Sequence, residues 1–142
     1  MATKQPQPSA SYFKQRTQVD DEGEILELSS GAVVRVRRPS IPHLVNAGIV
    51  PASLAGAQFR IQTKQNIADE DVKRIYDLEL IIAQHAVIEP KVLPKGQKPN
   101  YEKGEISIND LKEGDLTEIY TYVQGGVEAL DRFRGDGQGV SA

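Results

Sequence analysis

The stretch Ile25–Leu54, ILELSSGAVVRVRRPSIPHLVNAGIVPASL, decides the reading of this chain. Ile25, Leu26 and Leu28 precede a turn at Ser29-Ser30-Gly31, and Val33, Val34 and Val36 then alternate in part with Arg35, Arg37 and Arg38. Two short apolar runs around a glycine that can take positive φ predict a β-hairpin over residues 24–38. Pro39 ends it, because proline lacks a ladder donor and confines Arg38 to extended backbone. Ser40 then suits the N-cap of a short helix over about 40–47, with Pro42 in its first turn and Gly48 at its C′ position. A second short turn is expected at Ala52–Ala55, closed by Gly56, with residues 57–66 extended around Phe59 and Ile61.

Working outward, residues 1–18 are rich in Gln, Pro, Ser and Lys and carry no acid. Such a segment buries too little apolar surface to offset its ordering entropy, so it is expected to be a flexible tail. Tyr12 and Phe13 stand out in it, either as incidental aromatics or as a short docking motif. The acidic run Asp20-Asp21-Glu22-Gly23-Glu24 lacks the ligand spacing of an EF-hand. Cross-strand pairing or a solvated face accounts for it and for the three arginines.

A helix is predicted over 68–87, capped by Asn66 or Asp69, with Val72, Ile75, Tyr76, Ile82 and Ala86 at helical spacing and Leu78 and Leu80 widening the stripe. Pro90, Pro94, Gly96, Pro99 and Gly104 mark residues 89–104 as a long loop. The closing helix is expected over 115–134, with Asp115-Leu116-Thr117-Glu118 as its capping box and a kink or break at Gly125-Gly126. GDGQGVSA (135–142) reads as a flexible end. The fold class is therefore α+β: an N-terminal hairpin followed by a mostly helical single domain over 19–134, with flexible termini.

Composition narrows the chemistry. The 142 residues contain no cysteine, which excludes disulfides and thiolate metal sites. A net charge of −3 argues against a dedicated nucleic-acid binder, and no apolar run approaches a membrane span. His43 and His85 lack partners at ligand spacing, and there is no nucleotide loop, HExxH or GxSxG. Glu79 falls on the apolar-rich side of its helix. No catalytic, cofactor-binding or metal residue is expected, no cofactor is implied, and the chain reads as a non-enzyme. The arginines Arg35, Arg37 and Arg38 leave a nucleic-acid-binding regulator as a minor alternative.

The order of phrases carries more. Ser30-Gly31-Ala32-Val33-Val34-Arg35-Val36-Arg37-Arg38-Pro39, then Ala47-Gly48-Ile49-Val50-Pro51-Ala52-Ser53-Leu54, then Val87-Ile88-Glu89-Pro90 and Leu130-Asp131-Arg132-Phe133-Arg134 resemble the tail assembly chaperones of long-tailed, siphovirus-like bacteriophages. The resemblance covers residues 25–134. It implies a non-enzymatic protein that binds the tape-measure protein during tail-tube assembly in the cytoplasm of the infected bacterium, with the tail-tube protein or self-association as further partners. Family members are often made in a short form and a frameshifted longer one. The alternative is a structural virion component, either a minor tail or a head–tail connector protein. An amphipathic partner calls for an apolar helix face, and the candidate is Leu116, Ile119, Tyr120, Val123, Leu130 and Phe133. The competing explanation is that these residues close the domain's own core.

Overall fold

The structure is a computed structural model that describes residues 7–139, with residues 19, 20 and 136–139 followed as backbone only. It is α+β, with the hairpin ahead of a mostly helical chain. Strands β1 (Glu24–Glu27) and β2 (Val33–Val36) pair antiparallel, with Leu26 opposite Val34. Alternation buries Leu26, Leu28, Val34 and Val36 and leaves Ile25 and Val33 in solvent. Gly31 takes φ +95° in the turn, as a tight connection there requires. A third strand, β3 (Val87–Glu89), joins the far side of β2.

Helix α2 (Ile41–Asn46) starts and stops where its caps predict. Ser40 Oγ accepts from His43 N at 3.4 Å, and Gly48, at φ +77°, donates its N–H to Val45 O at 3.0 Å. Residues 52–66 differ from expectation: α3 (Ala52–Thr63) runs through Gly56 without breaking. The reason is local. Leu54 and Ala57 bury on one face with Ile61 behind them, and flanking alanines favour helix enough to absorb one glycine. Lys64, in the left-handed region at φ 55°, ends the helix.

Helix α4 (Asp69–Ala86) is capped by neither Asn66 nor Asp69. Ala68 occupies the N-cap and has no side-chain acceptor, so Asp71 reaches back to accept Ala68 N–H at 3.1 Å. The same carboxylate is fully buried. Arg60 of α3 holds it with two bonds, 3.0 and 2.7 Å, and Arg74 adds a third donor at 3.2 Å. These donors keep the Asp71 carboxyl well below the usual range, the Arg60 bonds contributing most. Leu78, Ile82, Ala83 and Ala86 form the buried stripe of α4, whereas Val72 and Tyr76 face solvent. The apolar stripe is therefore narrower than its sequence suggests.

Two expected loops carry regular structure. Within 89–104, β4 (Lys91–Leu93) forms and Tyr101–Lys103 makes a 3-10 turn, and β4 pairs parallel with β5 (Glu105–Ser107) just beyond that segment. Within the predicted tail, α1 (Ala10–Glu22) is helical. No Gly or Pro interrupts residues 10–22, Ser9 Oγ accepts from Tyr12 N at 3.4 Å, and Gly23 at φ +73° stops the helix. Its described side chains are exposed, and the Tyr12 and Phe13 rings meet edge to face with centroids 5.5 Å apart. Residues 1–6 and 140–142 of the expected tails lie outside the described residues.

Helix α5 (Glu113–Gly139) starts two residues before Asp115, so that Asp115 sits in its first turn and accepts from Lys112 N at 3.0 Å rather than capping by itself. Helical backbone continues through residues 135–139, where no proline stops it. At Gly126 (φ 74°, ψ −164°) the helix breaks into two arms, 113–125 and 127–139. The break reverses the chain. In a straight helix, residues 118 and 134 would stand about 24 Å apart, yet Arg134 Nε donates to Glu118 Oε1 at 2.9 Å. The second arm therefore lies back along the first, with Leu130 buried between it and the body.

A Cβ at Gly126 would need left-handed backbone and would sit 3.2 Å from Arg38 Nη1. Gly126→Ala should lower unfolding free energy by about 1–2 kcal/mol, read as a drop in the urea midpoint with an unchanged slope.

Candidate partner-binding groove

The bend in α5 creates the site. A helix that stops at Gly126 leaves its last carbonyls unpaired. Arg38, just past β2, fills that role: its Nε donates to Val123 O at 3.3 Å and its Nη2 to Gln124 O at 3.2 Å. A cation there also complements the negative end of the first arm's dipole. Arg37 does the same for α4, donating from Nε to His85 O at 3.0 Å. Arg35 lies 3.8 Å from the exposed Glu89. The basic run is thus spent on two helix ends and one surface pair.

Pinning Arg38 to the first arm of α5 sets the segment Pro39–Asn46 opposite α3. Between them lies an open groove of about 960 Å³, lined by α2, α3, the first arm of α5 and, at its rim, Arg16 of α1. Ile41, Pro42, Val45 and Phe59 supply apolar surface, and Gln58, Gln62 and Gln124 supply amide groups. Phe59 is 63% exposed, an unusual state for a phenylalanine on a packed helix. Beneath the groove, Gln124 Nε2 donates to the Tyr120 hydroxyl at 3.1 Å. Burial, then the nearby Glu79 carboxylate, push the Tyr120 hydroxyl up to about 12 against a smaller opposing effect of Gln58.

Among the predicted binding residues, Leu116, Ile119, Tyr120, Val123 and Leu130 are buried in the core, and Phe133 alone is exposed, at 43%. The stripe is therefore not a free face. The folded-back arm and α4 cover it, and periodicity cannot reveal that cover. Phe133 borders a separate cleft of about 470 Å³ beside Ser29, Ser30 and Lys112. The groove around Phe59 went unnoticed in the sequence because residues 57–66 read as extended, which splits Phe59 from Gln58 and Gln62.

A second constellation fastens the hairpin to α5. Glu118 is buried, accepts from Ser29 N at 2.9 Å and from the Ser29 hydroxyl, and pairs with Arg134. Ser30 Oγ donates to Asp115 Oδ1 at 2.7 Å, and Arg134 Nη2 donates to Glu27 O at 2.6 Å. The Tyr122 hydroxyl donates to Glu24 at the start of β1. Among the described residues, no three His, Asp or Glu side chains converge as a metal site, and no helix is long and apolar enough to cross a membrane. No family model, curated protein or solved structure matches the chain.

Two buried acids make opposite pH predictions. Burial, then the Glu113 carboxylate, raise the Glu79 carboxyl. The stability it contributes is complete below the ordinary glutamate range and is lost as pH rises through the raised value. Glu79→Gln should therefore raise the melting temperature at about pH 7 and leave it unchanged near pH 4. For Glu118, burial pushes the carboxyl up, but Arg134 and the two Ser29 donors outweigh it and leave a lowered value. Its contribution is present above the ordinary range and is lost as pH falls. Glu118→Gln should cost on the order of 2 kcal/mol at neutral pH and progressively less in acid, measured by urea melts across pH.

Proposed function

We propose that this chain is a non-enzymatic tail assembly chaperone of a long-tailed bacteriophage, acting in the host cytoplasm and holding a segment of the tape-measure protein in the groove around Phe59. The open groove, lined by apolar and polar side chains in about equal measure with Phe59 exposed in it, is the observation that carries the reading. A tape-measure protein is long and helical, and its apolar stripes need cover until tube subunits enclose them. A groove walled by α2, α3 and the first arm of α5 suits an amphipathic helix, which can bury its apolar face there and leave its polar face wet. Of the phrases that carry the family resemblance, one lines the groove and two adjoin the elements around it. Arg38-Pro39 forms one wall, Ala47–Leu54 joins α2 to α3, and Leu130–Arg134 closes the fold behind them.

The exposed helix α1 favours a second reading, that of a structural virion component whose arm is covered on assembly. The two separate on where the protein is found.

Co-expression with the tape-measure protein of the same phage should yield a complex. Phe59→Asp should weaken it at least about tenfold, roughly 1.4 kcal/mol, without lowering the melting temperature. The chain should be absent from purified particles. Recovery in particles at a fixed stoichiometry would favour the virion component, and no complex with the tape-measure protein would sink the chaperone reading.

A further inference from the structure

The charge of the groove is opposite to that of the chain. The protein carries 17 Lys and Arg against 20 Asp and Glu. The groove lining nonetheless includes Arg16 and Arg38 and not one carboxylate. The two arginines come from separate elements, α1 and the segment after β2. The remaining lining is apolar or neutral polar, the latter being the Ser40 hydroxyl and four amide side chains, and the exposed Phe59 is part of it.

From this charge complementarity we infer that the occupant is an acidic amphipathic helix: bulky apolar residues at helical spacing on one face, flanked by Asp or Glu. This rests on the groove being the partner site and names the partner segment's chemistry. The apolar face covers Phe59, Ile41 and Val45, the carboxylates meet Arg16 and Arg38, and Gln58, Gln62 and Gln124 hydrogen-bond at the margin. Complementary charge of this kind chiefly sets selectivity and association rate, while the apolar anchor supplies affinity. A nucleic acid is the less favoured anionic occupant. Two cations neutralise few phosphates, and Phe59 is one ring rather than a row of stacking platforms.

Two synthetic helical peptides of about 18 residues test the inference. Both carry Leu at i, i+3, i+4 and i+7, one with Glu and the other with Lys on the flanks. Calorimetric titration into the full chain at low salt should show the Glu peptide binding at least about tenfold tighter than the Lys peptide, with the gap narrowing as salt screens it. Arg16→Glu, on exposed α1, should abolish that preference and leave the melting temperature in place. Phe59→Ser should weaken both peptides. Equal or tighter binding of the Lys peptide, failure of the Glu peptide to bind, or indifference to Phe59→Ser would overturn the inference, as would tighter binding of a single-stranded DNA oligonucleotide than of the Glu peptide. Failure of the two proposals is distinguishable. A tape-measure complex without Glu-peptide binding removes the acidic-helix inference and leaves the chaperone reading. Glu-peptide binding without a tape-measure complex does the reverse.

Discussion

The reversal of α5 at Gly126 is the constraint on which the rest of the structure depends. Left-handed backbone at one glycine frees the carbonyls of Val123 and Gln124 and turns the second arm back on the first. Two consequences follow, one on each side of the hairpin. The freed carbonyls capture Arg38, which fixes where β2 hands over to α2. The returning arm delivers Arg134 to Glu118, and that pair grips the hairpin turn through Ser29 and Glu27 O. The hairpin is thereby held at its turn and just past its end by the same helix. Without the reversal, the continuing helix would take up the Val123 and Gln124 carbonyls, and Arg134 could reach neither Glu118 nor Glu27 O, leaving only the contacts of the hairpin with the first arm.

Several charges in this protein serve helix ends. Arg37 and Arg38 sit on the C-terminal carbonyls of α4 and of the first arm of α5. Asp71 and Asp115 sit in the first turns of α4 and α5, each accepting a backbone N–H there. Asp71 shows how a fully buried carboxylate is tolerated: donors from three residues, Arg60, Arg74 and Ala68, surround it. Glu79 is the exception. It is buried near Glu113 and Tyr120, and its raised carboxyl reflects burial and a like charge rather than a cationic partner.

What was legible in the sequence was whatever a single residue type decides locally. Gly31, the Ser40 cap, the Gly48 stop and the Gly125-Gly126 break depend on φ or on a capping oxygen within three residues, and all four stand as expected. Illegible were features set by distant chain. An apolar stripe on α5 shows that something covers Leu116 and Ile119, but not that residues 127–139 help to do so. The arginine run shows positive charge, but not that two helix ends await it. Helix α3 was missed for a different reason. Gly56 reads as a stop, and only the burial of Leu54 and Ala57 against neighbouring elements outweighs its propensity cost. The candidate site falls within that helix, so its chief residue, Phe59, reads from the sequence as part of an extended segment.

The groove therefore stands at the seam between scaffold and function, and its two arginines differ in kind. Arg38 belongs to the fold first. Removing it uncaps a helix and loosens the segment that forms a groove wall, so any loss of binding would be confounded with loss of shape. Arg16 and Phe59 are exposed on helix surfaces and line the same space. Burying a whole phenylalanine side chain is favourable by roughly 1.5–3 kcal/mol, so covering the part of Phe59 that water now reaches amounts to about 1–2 kcal/mol. The fold forgoes that gain in isolation. Phe59 has the buried Ala57 and the half-buried Arg60 beside it in α3, so the helix is already anchored on its other face. Its ring adds little to folding where it stands, and the gain remains open to whatever helix enters the groove.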